Sequence, residues 1–288
     1  MTTAIIHSGA IFQFWRGSNW FVRLCAVIAM AFAIIAITGT ALAPYDPNLV
    51  DLSSRLKAPD LHHWLGTDHL GRDMLSRLIS GARISLGTVA ACLGLILVLG
   101  IAIGGTAAYL GGRVDQTIMR ITDVFLAFPT VVLSLFLVGV LGMGLVNVII
   151  AIVLSHWAWY ARIVRGVVLS LIHRDYILAA KMAGLTRLEL FFKHLLPSTF
   201  VQLLVLATLD IGHIMLHVSG LSFLGLGVRA PTAEWGVMIS DARQYIWTEP
   251  MLIFWPGLAL FLSVLACNTL GDAVRDVLDP AVRMQHGH

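Results

Sequence analysis

Charge is what this sequence has least of. Asp, Glu, Lys and Arg make up 12% of its 288 residues, about half the share usual in a soluble domain. Lysine is nearly missing, with only Lys57, Lys181 and Lys193, and none of the three stands in a Gly-rich strand-to-helix turn. No GxxxxGK[ST] occurs, so the chain has no phosphate-cradling loop of its own. HExxH and GxSxG constellations are missing too, which removes the commonest hydrolytic chemistries. If the protein does work, another subunit or an ion gradient supplies the energy. Cysteine is also scarce: Cys25, Cys92 and Cys267 all lie in apolar runs without CxxC spacing, as small buried side chains do. The formal charge of +3 is scattered rather than massed and gives no nucleic-acid footprint.

Apolar residues fill the space that charge leaves. They make up 58% of the chain, and mean hydropathy is +0.86. About 20 apolar residues cross a bilayer, and six stretches reach that length: Phe21–Ala43, Ile84–Leu110, Thr117–Leu141, Gly144–Leu169, Phe200–Leu226 and Met251–Gly271. The sequence therefore predicts an all-α, polytopic integral membrane protein with six transmembrane helices. Glycines at 94, 100, 104 and 105 are expected to let helices approach closely. The first run is too long for a signal-peptide core, and Pro44 follows the Ala41-Leu42-Ala43 stretch directly, so an uncleaved span is expected. Twelve of the nineteen basic residues fall on one side if the amino terminus is cytoplasmic, and the positive-inside bias then places both termini in the cytoplasm. The segment 1–20 and the tail 281–288 flank a membrane domain over 21–280.

That orientation puts Asp175–Ser198, DYILAAKMAGLTRLELFFKHLLPS, in the cytoplasm. Asp175 is expected to cap a short helix that stops at Gly184. Thr186 then caps an amphipathic segment, with Leu188, Phe191, Phe192 and Leu195 on its apolar side, ending at Pro197. Spacing alone fits a docking helix and an ordinary interfacial loop helix equally well. On the other side lie residues 44–83 and 227–250. A short helix is expected over Glu234–Tyr245, with Trp235, Tyr245 and Trp247 at the membrane interface. His62 and His63 precede Trp64 in a loop that reads as solvated. Asp68, Arg72 and Asp73 fit either an ion-pair network or a simple structural turn.

The fifth span holds ionisable groups, which are costly in a membrane and usually face a cavity or the bundle interior. Asp210, His213 and His217 stand at offsets of 0, 3 and 7, on one helix face. The arrangement fits metal contact, since imidazole suits nickel, copper and zinc. It fits equally an Asp–His hydrogen bond that locks the helix, or a polar lining for any hydrated solute.

Three motifs carry a resemblance. Residues 175–198 resemble the cytoplasmic signature of ABC-importer permeases, matched in order by Tyr176, Ala179, Ala180, Gly184, Thr186, Lys193, His194, Leu196 and Pro197; Leu178 stands where that family usually has Glu. Leu65-Gly66-Thr67-Asp68-His69-Leu70-Gly71-Arg72-Asp73 resembles the extracytoplasmic signature of the peptide and nickel branch. Leu221–Gly227, with Pro231, Trp235 and Gly236, resembles a third. Within that branch, Asp210, His213 and His217, and the stretch around His156, look most like nickel permease subunits. The resemblance implies an ATPase-coupling role for Tyr176, Ala179, Ala180, Gly184 and Pro197. It implies an outer-gate motif at Gly66, Asp68, Gly71, Arg72 and Asp73, and a substrate path at Asp210, His213, His217 and His156. It implies a bacterial inner-membrane subunit that is not itself an enzyme and holds no cofactor. ATP and magnesium would sit on two partner ATPase subunits, beside a second homologous permease, a solute-binding protein and membrane lipid. A di- or oligopeptide permease of the same branch, or a gradient-driven transporter using Asp210 and His213 for protons, is the competing reading.

Overall fold

A computed structural model describes residues 19–229 and 231–278. Most of the segment 1–20, the tail 281–288, and with them Arg16 and Arg283 of the charge count, lie outside the described residues. The described residues form no named strand, only an isolated bridge between Thr67 and Asp73. The helices are α1 (Trp20–Thr38), α2 (Met74–Leu110), α3 (Gly112–Leu126), α4 (Thr130–Leu141), α5 (Leu145–Ile172), α6 (Asp175–Met182), α7 (Arg187–Leu190), α8 (Leu196–Phe223), α9 (Trp235–Ala242) and α10 (Met251–Leu278). Among the described residues five helices are long and apolar enough to span a membrane, or six if α3 and α4 count as one.

That pair occupies the third expected span, Thr117–Leu141, and it is bent. α3 and α4 meet at 88°. Pro129 fixes its own φ and pushes Phe128 away from helical geometry, so the helix breaks there. The two carboxylates of α3 are paired with α5: Asp115 takes Arg165, and Asp123 takes Arg162. The second span differs as well, beginning at Met74 rather than near residue 84. Asp73 caps that start by accepting from the Ser76 N–H at 2.8 Å.

Helix α2 packs most extensively along α5, and α10 along α8 and α1. Glycines make the first of these close. A Cβ on Gly100 would lie 2.7 Å from Tyr160 Cβ, and one on Gly104 2.9 Å from Ala161 Cα, both too near to exist. Gly105 gives the same clearance to the Phe191 ring, whereas Gly94 faces open space. The core runs through this junction, with Ile96, Ile152, Tyr160, Leu203 and Ile214 fully buried.

Candidate functional site

The ionisable face of α8 meets α5 at a buried contact. Asp210 is 9% exposed, and its Oδ2 accepts from the Tyr160 hydroxyl at 3.1 Å and from His156 Nε2 at 2.9 Å. His156 and Tyr160 stand one turn apart on α5, so a single face of that helix presents both donors to one carboxylate oxygen. A carboxylate that accepts at Nε2 leaves Nδ1 of a neutral His156 as the ring's lone-pair nitrogen. The His217 ring centroid is 6.5 Å from that of His156 and 5.3 Å from that of His213. Burial decreases along the row: Asp210 is enclosed, His156 and His217 are half-buried, and His213 is exposed. Among the described residues no three His, Cys, Asp or Glu side chains are grouped so that they could hold a metal ion. Asp210 turns to α5 rather than completing a cage with His213 and His217. Tyr160 was not singled out as a site residue; its i, i+4 relation to His156 was the available signal.

At one end of the bundle the loop from Pro44 and the loop before α9 form a cap, and its centre is Asp68. Asp68 Oδ1 accepts from the backbone N–H of Leu70 at 2.8 Å and of Arg72 at 3.0 Å. Its Oδ2 takes Arg72 Nε at 2.6 Å and lies 3.4 Å from Arg77 Nε. Both arginines are 1% exposed, and both also approach Asp241. Arg77 Nη1 donates to the carbonyls of Pro47 and Pro231 at 3.2 Å each, pinning the two loops together. Asp73 accepts from the Ser76 hydroxyl at 2.7 Å and lies 2.9 Å from His63 Nδ1, so His63 is tied into the cap while His62 stays exposed. Gly66 and Gly71 hold φ of +75° and +74°, and a Cβ on Gly71 would run into the Asp51 carbonyl. Burial holds His69 below its ordinary value, with Asp68 and Asp241 pulling the other way; its ring stacks on Tyr245 at 5.7 Å.

Helix α9 completes the cap, starting one residue after the expected Glu234. Glu234 is fully buried: Oε2 accepts from the Val237 N–H at 3.0 Å, and Oε1 from the Ser85 hydroxyl at 3.0 Å. Trp235, expected at the membrane interface, is instead fully buried, because its indole N–H reaches the Leu78 carbonyl at 3.0 Å. Trp247 is 92% exposed, as an interfacial ring would be. Arg77, Asp241 and Glu234 could not be read as members of this network from local spacing, because Pro231, Arg77 and Ser85, their respective partners, lie far along the chain.

The opposite end carries the 175–198 segment. Asp175 is not the cap: Arg174 is the extended residue before the helix, and Asp175 sits in the first turn, where it favours the helix dipole. The end is a Schellman motif, with Gly184 N–H bonded to the Lys181 carbonyl at 3.1 Å and Leu185 N–H to that of Ala180 at 3.3 Å. Gly184 supplies the positive φ of +87°. Thr186 and Glu189 form a reciprocal capping box at 3.0 and 3.3 Å. The segment does not stop at Pro197. A π turn, Phe191–Leu195, leads into α8, and Pro197 sits in the first turn of that helix. The wider turn leaves room for a proline, which has no N–H to donate. Of the apolar side expected here, Leu195 is buried, but Leu188 and Phe192 are 62% and 60% exposed. On α6 Ile177 points inward, while Tyr176 and Met182 are 47% and 89% exposed.

Comparison with known proteins adds to this geometry. The sequence family described as binding-protein-dependent transport system inner membrane component matches residues 96–284. The nickel transport system permease protein NikC of Escherichia coli K12 is 60% identical over 276 residues, covering 96% of this chain and all of that protein. The dipeptide transport system permease protein DppC of Alkalihalophilus pseudofirmus is 39% identical over 257 residues, covering 89% of this chain and 84% of that one. Among solved structures, an inward-facing MetNI methionine ABC transporter matches with a TM-score of 0.58 at 19% identity, over 72% of this chain and 98% of the matched one. At that identity the likeness bears on the fold alone.

Proposed function

The chain belongs to the inner membrane components of binding-protein-dependent transport systems, and from that premise we propose that it is the permease subunit of an ATP-driven nickel importer. The observation that carries the substrate is the 60% identity to a nickel permease over nearly the whole chain, against 39% to a dipeptide permease. The Asp210, His156, Tyr160, His213 and His217 cluster supports it, because imidazole nitrogens are suitable partners for nickel.

In this reading both termini are cytoplasmic, residues 175–198 face the cytoplasm, and the cap around Asp68 faces outward as the gate. ATP and magnesium bind partner ATPase subunits, one of which seats α6. A second, homologous permease supplies the other half of the pathway, and a solute-binding protein delivers nickel to the outer face. Closure of the ATPases pushes on Tyr176, Ala179 and Ala180. The push reaches the α7–π–α8 rod, and the cluster on α8 alternates between the two sides. Nickel then meets the imidazoles of His213, His217 and His156 in turn rather than entering a closed cage, so most of its coordination comes from ligands that travel with it. Asp210 holds His156 in orientation.

Radioactive nickel uptake in cells with and without this subunit tests the reading. Uptake is expected to need the subunit and the partner ATPase and to be indifferent to excess dipeptide. Competition by dipeptide would reassign the chain to peptide import, and uptake that survives loss of the ATPase would remove the ABC mechanism altogether. Asp210→Asn and His213→Ala are expected to lower uptake in complexes that still assemble; normal uptake in both would reduce the face to packing.

A further inference from the structure

Helices α1, α2 and α10, with Ile211 of α8, line a groove of about 780 Å³ that includes none of the substrate-path residues named above. Its walls are apolar, from Phe32 and Ala33 on α1 and from Leu86, Ala90 and Leu97 on α2. Among the described residues Arg83 is the one charged side chain that lines it. The Arg83 stem lies across the end of α1, where a Cβ on Gly39 would stand 2.9 Å from its Cδ. Arg83 is exposed and makes no ion pair or hydrogen bond with any described residue. This contrasts with Arg72 and Arg77, a few residues earlier, which are fully engaged. A second polar group faces the groove: Ser263 of α10 is 2% exposed, and its hydroxyl has no partner.

We propose that this groove is a binding site for one anionic phospholipid, with its phosphate on Arg83 and an acyl chain running between α1 and α2. From Arg83 to Leu97 the groove follows α2 for roughly 21 Å at 1.5 Å per residue. One leaflet's share of the hydrocarbon core is about 15 Å, so the groove accommodates a full tail. A guanidinium at one end of an otherwise apolar slot suits an amphiphile with an anionic head, since phosphate takes a bidentate pair of its N–H groups. A neighbouring helix would have to bring both a carboxylate to Arg83 and a hydrocarbon edge narrow enough for the slot. The lipid also explains how α1, which is barely buried in the chain itself, stays against the bundle.

The test uses the assembled transporter, extracted in mild detergent and examined by native mass spectrometry after exchange into equal amounts of phosphatidylglycerol and phosphatidylcholine. Wild type is expected to retain one phosphatidylglycerol per copy of this chain, unaffected by added inorganic phosphate. R83Q is expected to lower that selective retention by about tenfold, the loss of one charge-assisted contact, and R83K, which keeps the charge but not the bidentate fork, to restore only part of it. A90W, which fills the slot, is expected to expel lipid of either headgroup. Co-purification of the partner subunits checks that each variant is folded. Equal phosphatidylglycerol retention in R83Q, displacement by phosphate, or a cross-link from A33C to the second permease in place of lipid would each overturn the proposal.

Discussion

The two ends of the bundle use their polar and apolar residues in opposite ways. In the cap, charges are buried and matched: Asp68, Arg72, Arg77 and Glu234 are between 0% and 5% exposed, and each has named partners. In the 175–198 segment, apolar groups are exposed: Tyr176, Leu178 and Met182 are 47%, 44% and 89% exposed. A buried ion network tolerates little displacement, since a separated charge has neither water nor counterion. Aromatic side chains are frequent anchors in protein interfaces, and Tyr176 is open to such a contact. One end is closed by contacts within the chain, and the other leaves apolar side chains open.

Four changes would break or sharpen that contrast. Asp68→Ala leaves Arg72 and Arg77 buried against each other, a loss of about 3–5 kcal/mol. The subunit is expected to fail to accumulate in the membrane, and normal abundance on an immunoblot would show the cap to be slack. Gly184→Val forces a branched residue into the left-handed region at φ +87°, where the surrounding space is open, so only backbone strain of about 1–2 kcal/mol is expected. The complex should assemble while ATP hydrolysis proceeds without transport; coupled turnover would count against the docking role. Tyr176→Ala should leave subunit stability unchanged but weaken ATPase association by roughly 1–2 kcal/mol, read as co-purified ATPase.

The smallest effect belongs to His69. Burial lowers its pKa from the ordinary 6.5, so the folded cap takes up a proton less readily than the unfolded chain does. The cap's stability is therefore full above that value, falls as pH drops through it towards the lowered one, and levels off below. His69→Gln should flatten that part of the thermal-stability profile, and an unchanged slope would assign it to another group.

The legibility of the sequence differed between the ends in the same way. Local chemistry was readable: the capping box at Thr186, the stop at Gly184 and the turn glycines of the 66–71 stretch follow from neighbouring residues. The one-face spacing of Asp210, His213 and His217 was readable too. What that face touches was not, because Tyr160 lies 50 residues away on another helix. Arg77 joins Pro47 to Pro231, 154 positions apart from the latter, and no local pattern announces such a partner. Trp235 was misplaced because composition cannot tell an interfacial indole from a buried one with a carbonyl in reach. The bend at Pro129 was written in a single residue, and the apolar run on either side concealed it.

The π turn that joins α7 to α8 has a consequence of its own. From Leu188 to Phe223 the backbone is one unbroken helix of 36 residues, and Asp210 lies about 26 Å along it from Lys193. A continuous backbone of this kind ties a displacement at one end to the other. The π turn holds one residue more than an α turn, so rewinding it would screw everything beyond it by about 100° and 1.5 Å. A rotation of that size exceeds the arc that holds Asp210 and His213 on one helix face.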